Sequence, residues 1–487
     1  MAGPDVVARL LAVAAAGPDL PAVVTRSATV TYRDLVAAAW GLAGELARFG
    51  PHPRVAILLP QGAAAYGAMF GTLMAGGYYL AGNTSSVPAK LTAILERFEP
   101  DVAIIPATGL AGGSVPDGLS VLSDIAPDYT SPVPCPAHRL AYVLFTSGST
   151  GVPKGVMISR RALDHYVDRA LAAMAPGPGD RWSQHPNIGF DLSVLDIYGA
   201  LCSGAALYPL ASEMDRMLPG RFIAGHRLTI WNSVPSVLDM MAKAGDLTSE
   251  RLASLRLMTF CGEPLHAAQV RAMFQARPDL AVHNTYGPTE ATVSCTLAVL
   301  NPADFADEVG GTVSLGEAIA GMTLHQIDGD EGIELAISGP QLADGYWRDE
   351  ERSAQAFRTI ETANGPVRAY VTGDLVRSKN GRLYFERRRD TQVKVRGHRL
   401  ELDEVNAALR ALGFAGAATV LVGGQLHAFV IAPAPLDGAG IRAELGRRLD
   451  AHAVPAFVHP VADLPRNAND KIDLAGLERL AATLGQP

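Results

Sequence analysis

Three short runs of this chain hold residue types whose spacing suits the chemistry of a polyphosphate. Leu144 to Val156, LFTSGSTGVPKGV, leads a strand-like run into a loop of hydroxyls and glycines that closes on Lys154. Gly148, Gly151 and Gly155 let backbone approach a polyanion closely, while Thr146, Ser147, Ser149 and Thr150 offer donors and Lys154 adds a mobile cation. The run reads as a phosphate cradle. It is not the G-x-x-x-x-G-K-[ST] loop, because Gly155 follows the lysine; the plain alternative is a Ser/Gly linker. In NTYGPTE, residues 284–290, Tyr286 can lie flat on a purine, Gly287-Pro288 turns the chain, and Glu290 is a hard oxygen donor suited to Mg²⁺. Asp374, in TGD after a strand-like segment, can accept from two ribose hydroxyls, although a lone Asp in a glycine turn is ordinarily structural.

Groups so far apart in sequence must be brought together by a layered fold. Thr31 to Asp34 has the T-x-x-D spacing of a helix start, followed by Leu35, Ala38, Ala39, Leu42 and Leu46 at helical intervals. Apolar runs at 55–59, 101–105, 142–145, 228–231 and 255–260 alternate with longer helical stretches, which predicts α/β layers around a largely buried sheet. Residues 55–89 carry no charge, yet Pro60, the glycines and the NTSS end favour strand, helix and strand over a membrane span. The charge run ending in Asp390 opens a last segment, in which 417–423 and 426–432 read as strands and IRAELGRRLDA, from Ile441, as a helix. We therefore expect a large N-terminal unit of layered α/β subdomains, residues 1–389, and a small mobile α+β unit, residues 390–487.

Composition narrows the partners. The 487 residues are 48% hydrophobic and 18% charged, the profile of a packed globular chain. A formal charge of −8 with scattered Lys and Arg gives no electrostatic footprint for nucleic acid. Cys135, Cys202, Cys261 and Cys295 lie far apart without C-x-x-C spacing, which argues against a disulfide scaffold or a zinc site and for a reducing cytoplasm. The opening MAGPDVVARLLAVAAAG reads as a first helix rather than a signal peptide.

With GPQLADGYW (339–347), YVTGD (370–374), RRRDTQVKVRGHRLELDE (387–404) and LPRNANDK (464–471) added in order, nearly the whole chain resembles the adenylate-forming superfamily. That superfamily includes amino-acid adenylation domains of nonribosomal peptide synthetases, acyl-CoA synthetases and luciferases. The resemblance implies ATP and Mg²⁺ as cofactors. It implies ATP contacts from Thr146, Ser147, Gly148, Ser149, Thr150, Lys154, Asn284, Thr285, Tyr286, Asp374 and Arg388, catalytic roles for Lys471, Thr289 and Glu290, metal binding at Glu290, and a hinge at Asp390. Lys471 would bridge the substrate carboxylate and the α-phosphate, placing a cation on a transferring phosphoryl group. The motifs depart from the usual pattern at Val371, Arg387 and Asp470, the last placing an acid beside the lysine.

The run GFDLS resembles the F-D-x-S signature of members that activate α-amino acids. A carboxylate at Asp191 needs a cationic partner if buried, and a substrate ammonium supplies one; the alternative is a helix N-cap. Carrying the pocket over implies a substrate site formed by Asp191, Leu192, Leu195, Asn232, Thr259, Cys261, Gly262, Val293 and Ser294, with Thr285 and Lys471 also on its wall. With no second charge on that wall, a small neutral side chain such as that of alanine fits, although Cys261 reads equally as a passive core residue. FDLSVLDIY, TFCGEPL and NTYGPTEATV resemble D-alanine:carrier-protein ligase. A free-standing natural-product enzyme for a small L-amino acid is the equal reading, with an acyl- or aryl-CoA ligase and a binding-only relative as further alternatives. Few residues follow Lys471, so the expected acceptor is a phosphopantetheine thiol on a separate carrier protein.

Overall fold

A computed structural model describes residues 3–110, 115–130, 137–148, 153–302, 308–414, 416–466 and 472–484. Two large sheets carry the N-terminal part. The seven-stranded sheet runs, in spatial order, Gly345–Tyr346, Lys154–Ser159, Leu140–Thr146, Tyr78–Ala81, Arg54–Ile57, Val102–Ile104 and Ser120–Leu122. Its strands pair parallel except where Lys154–Ser159 pairs antiparallel with both of its neighbours. The nine-stranded sheet has a parallel centre, from Ala281–Tyr286 through Leu257–Phe260, Ile230–Ser233 and Arg181–Gln184 to Ala206–Pro209. A five-stranded antiparallel sheet spanning Thr323 to Arg388 completes this part.

The uncharged stretch 55–89 is strand, helix and strand: Arg54–Ile57, Ala63–Met74 and Tyr78–Ala81. Its helix is apolar all round because it lies between the sheet and the helix Tyr32–Leu46, with residues 65 to 73 buried throughout. Thr31 caps Tyr32–Leu46 as its spacing predicts, its hydroxyl accepting from Asp34 N at 3.2 Å.

Beyond Asp390 come the hairpin Gln392–Val395/His398–Glu401, the helix Leu402–Ala411 and a three-stranded sheet of Ala417–Val422, Gln425–Ile431 and Phe457–Val461. This part has its own apolar clusters, around Val405, Leu409 and Leu445 and around Phe429 and Leu477, which contain no residue preceding Val393. The helix expected from Ile441 spans Gly438–Leu445 and stops short, since Gly446 caps it and turns follow. No helix among the described residues is long and apolar enough to cross a membrane.

Two glycines on one helix test the packing. An added Cβ at Gly41 would lie 2.0 Å from the Ala126 carbonyl oxygen, whereas Gly44 faces open space. Gly44→Ala should therefore raise stability by about 0.5–1 kcal/mol, and Gly41→Ala should lower it by about 1–3 kcal/mol through forced displacement. Denaturant melts of the two variants measure both; equal effects would contradict the packing described.

Candidate active site

A cleft of about 90 Å³ lies where the phosphate-loop hairpin, the NTYGPTE segment and the carboxy-terminal hairpin meet; Thr146, Ser147, Asp191, Thr289, Gly397 and Arg399 line it. The register Thr146↔Lys154 puts the loop at the end of the antiparallel pair, with Lys154 directed inward. Ser149, Thr150 and Gly151 lie outside the described residues. Thr146 Oγ1 is buried without a hydrogen-bond partner, an unusual condition that an incoming acceptor would relieve. Gly155, read above as an approach point for a ligand, is required by packing instead: a Cβ there would lie 2.9 Å from Val143 Cγ1 and 3.0 Å from Trp347 Cβ.

Glu290 sits at the centre with 0% exposure. Its Oε1 accepts from Tyr346 Oη at 2.7 Å and lies 3.7 Å from Lys154 Nζ, while Oε2 pairs with Arg399 Nη1 at 2.7 Å. Burial alone would raise this carboxyl's pKa, but Arg399, Lys154 and the Tyr346 hydroxyl hold it at about 2. Burial, reinforced by Arg399, brings Lys154 down to about 8. Arg399 and Tyr346 belong to motif runs quoted above, yet nothing in those runs points to Glu290 as their common partner. As arranged, the donor set does not fit the Mg²⁺ expected at Glu290, since both carboxylate oxygens already hold partners and Arg399 occupies the cation position on Oε2. Among the described residues, no three His, Cys, Asp or Glu side chains gather as a metal site.

Tyr286 is buried and its hydroxyl donates to Asp374 Oδ2 at 2.5 Å. Asp374 Oδ1 accepts from Arg388 Nη1 at 2.6 Å, and Arg388 in turn makes a forked pair with Asp390 at 2.6 and 2.7 Å. The ribose-binding and hinge candidates thus form one chain of contacts. Asn284, like Tyr286, Asp374 and Arg388, is not among the residues lining the cleft; its buried amide donates to Ser314 O at 2.8 Å.

Asp191 occupies the N-cap position of Leu192–Leu201, as one reading expected, but its side chain makes no capping hydrogen bond there. Its Oδ2 accepts from Thr289 Oγ1 at 2.6 Å, it forms no ion pair among the described residues, and burial raises its pKa against the weaker pulls of Thr289 and Lys394. Leu192 is buried nearby, and Gly262 turns the chain with φ +93°. Thr259, Cys261, Val293 and Ser294 are buried, with Cys261 Sγ 3.8 Å from Val293 O. Thr285, expected as an ATP contact, donates to Phe260 O at 3.1 Å and lines a separate small cavity with Leu195, Thr259 and Ser294. Asn232 supports the helix behind the pocket, its Nδ2 donating to Asp196 Oδ1 at 2.9 Å. Thr292 and Val293 adopt φ +55° and +69°, a strained conformation for two β-branched residues in sequence.

The carboxy-terminal part is locked onto this cleft. Lys90 Nζ lies 3.0 Å from Glu404 Oε1 and 3.1 Å from Asp450 Oδ2. Ser147 Oγ donates to Arg399 O at 2.8 Å, and Gly397 N donates to Glu263 Oε1 at 2.5 Å. His398 stacks on His452 with centroids 3.9 Å apart and meets the Phe190 ring edge-on at 4.3 Å. Lys471, with Asn469 and Asp470, lies outside the described residues, as does Cys135; Cys202, Cys261 and Cys295 are buried free thiols.

The family model described as AMP-binding enzyme matches residues 10–347. An isonitrile lipopeptide synthase of Mycobacterium tuberculosis is 35% identical over 477 residues, 94% of this chain but only 18% of that protein's length. An L-proline--[L-prolyl-carrier protein] ligase of Pseudomonas fluorescens is 38% identical over 356 residues, 70% of this chain and 68% of the ligase. Among solved structures, the Vibrio cholerae adenylation domain AlmE in complex with glycyl-adenosine-5'-phosphate has a TM-score of 0.86 at 27% identity, covering 99% of this chain and 98% of that one.

Glu290→Gln removes the charge that two buried cations share and should cost about 3–5 kcal/mol at neutral pH. Because the carboxyl is held at about 2 against an ordinary 4.5, the wild-type advantage is complete above pH 4.5 and shrinks as pH falls toward 2. Urea melts of both proteins across that range provide the check; a gap that does not change with pH would contradict it.

Proposed function

The chain belongs to the AMP-binding enzyme family, and from that premise we propose that it joins the carboxylate of a small neutral amino acid to ATP and passes the aminoacyl group to a carrier-protein thiol. In the first step a substrate carboxylate oxygen attacks the α-phosphorus and pyrophosphate leaves. In the second, the phosphopantetheine thiol of a separate carrier protein gives up its proton and attacks the acyl carbon, releasing AMP.

The observation that carries this reading is Asp191. A cleft carboxylate without an ion-pair partner among the described residues is costly unless a cation arrives, and an α-ammonium supplies that cation while directing the carboxylate into the cleft. Lys154 and the unpartnered Thr146 hydroxyl serve the phosphates. Tyr286 serves the adenine, and Asp374, held by Arg388, the ribose. Thr289 orients Asp191. Lys471 keeps the role of the transfer cation, which the resemblance assigns to it. Asp390, between the Arg388 fork and the hairpin, is the hinge on which the carboxy-terminal part turns to exchange Arg399 for that lysine.

A small side chain is favoured by the buried wall of Thr259, Cys261 and Val293. The names of the proteins compared point the same way: proline for one relative, and glycyl-adenylate for the neighbouring structure. Alanine of either hand and proline are the leading candidates, in natural-product assembly or as a D-alanine:carrier-protein ligase. An acyl- or aryl-CoA ligase is the alternative that Asp191 disfavours.

Pyrophosphate exchange into ATP, measured over L- and D-amino acids, glycine and amine-free acids, should select one small amino acid. Asp191→Asn should cut kcat/KM for that amino acid by about 100-fold or more while leaving the KM for ATP nearly unchanged. Exchange supported only by amine-free acids would overturn the reading.

A further inference from the structure

A cavity of about 740 Å³ shares no described residue with the cleft. It opens at the far end of the strand Lys154–Ser159, about 17 Å from Lys154 along an extended chain. The helix Arg160–Met174 begins there, capped by Ser159, so its positive end lies at the cavity wall. Arg139, Arg160, Arg161 and Arg368 line the cavity, and among the described residues Asp344 is the one carboxylate on its wall, which leaves an excess of three positive charges. Burial holds His138, also on the wall, neutral; its Nδ1 accepts from Leu140 N at 2.9 Å, so Nε2 is left as a donor. The four guanidinium groups differ in what holds them. Arg139 pairs with Asp344 at 2.7 Å. Arg160 Nη2 donates to Leu73 O at 2.6 Å and Gly77 O at 3.3 Å, and Arg368 Nη2 to Ala343 O at 3.0 Å and Asp344 O at 3.1 Å. Carbonyls thus fix both groups without cancelling their charge, and burial works against that charge. Asp5 and Asp164 act on Arg160 from outside the cavity and do not pair with it among the described residues. Arg160 Nε is buried without a hydrogen-bond partner, a condition that an incoming acceptor relieves. Arg161 is exposed and has neither an ion pair nor a side-chain hydrogen bond among the described residues.

We propose that this cavity is a second anion site, separate from the phosphate cleft, which takes a multiply charged phosphate ligand: free pyrophosphate or the polyphosphate tail of a nucleotide. A single carboxylate cancels one charge, as Asp344 does for Arg139, so three further charges call for a multivalent anion. Guanidinium groups hold phosphate oxygens in pairs, and here Arg160 and Arg368 are already positioned while Arg161 has its whole fork to offer. The volume suits an extended polyphosphate rather than a lone ion. The inference is independent of which acid the cleft activates.

The test is calorimetric titration of the full chain carrying Lys154→Ala, which weakens the cleft, with inorganic pyrophosphate and separately with ATP in metal-free buffer. At least one of the two should still bind, saturating below about 1 mM and more weakly as salt rises. Adding Arg161→Glu should weaken that binding at least about 10-fold, and Arg139→Gln on top of it should remove it. Arg161 gives up no partner, so Arg161→Glu should melt with its parent. Lys243→Glu makes the same change of net charge on the exposed end of the helix Ser236–Lys243, which contributes nothing to the cavity, and should leave the titration unchanged. The tighter ligand names the source: pyrophosphate for a free anion, ATP for a nucleotide tail. Absence of Arg161-dependent binding with both ligands, or an equal loss in Lys243→Glu, overturns the proposal.

Discussion

A fully buried carboxylate must be matched by positive charge, and at Glu290 that requirement organises the molecule. One partner, Lys154, comes from the second strand of the seven-stranded sheet, and another, Tyr346, from the short edge strand beside it. The third, Arg399, comes from the far lobe of the chain. None of these contacts is local, so the phosphate-loop hairpin, the NTYGPTE segment and the carboxy-terminal hairpin can be correctly placed only together. Lys90, between Glu404 and Asp450, repeats the arrangement at the rim, where again a cation of one lobe meets carboxylates of the other. The interface between lobes is therefore held by charge pairing around a polar cleft more than by a shared apolar core, and such an interface can be exchanged for another at modest cost.

What the sequence discloses is what each contiguous run does by itself. The hydroxyl-rich loop ending in Lys154, the tyrosine and glutamate of NTYGPTE, and the aspartates of TGD and FDLS carry chemistry in their own residue types, and the fold brings them to one region. Strand and helix patterns are equally readable where an apolar period is long, as in Tyr32–Leu46. Where the reading falls short, the deciding fact is a partner distant in sequence. Asn284 reads as a polar group in a motif, and nothing local in that motif discloses that Ser314 accepts from its amide. Arg399 looks like one more charge in a basic run until it is found on Glu290.

Tyr286, Asp374, Arg388 and Asp390 form an unbroken series of hydrogen bonds and ion pairs that runs from the NTYGPTE segment to the start of the carboxy-terminal hairpin. A ligand that draws on Asp374 competes directly with Arg388, and Arg388 in turn fixes the backbone at Asp390 through a two-pronged pair. Occupancy of one end is thereby felt at the other through contact alone.

The loop from Gly287 to Cys295 folds back on itself so tightly that a Cβ at Gly287 would lie 2.5 Å from Ser294 Cα. Glu290, held by Lys154, Tyr346 and Arg399, and Val293, whose carbonyl accepts from Cys261, thus lie within one short piece of chain. A substitution on this loop therefore disturbs the surroundings of the buried carboxylate and those of the buried thiol together, and its effects on the two cannot be separated by position alone.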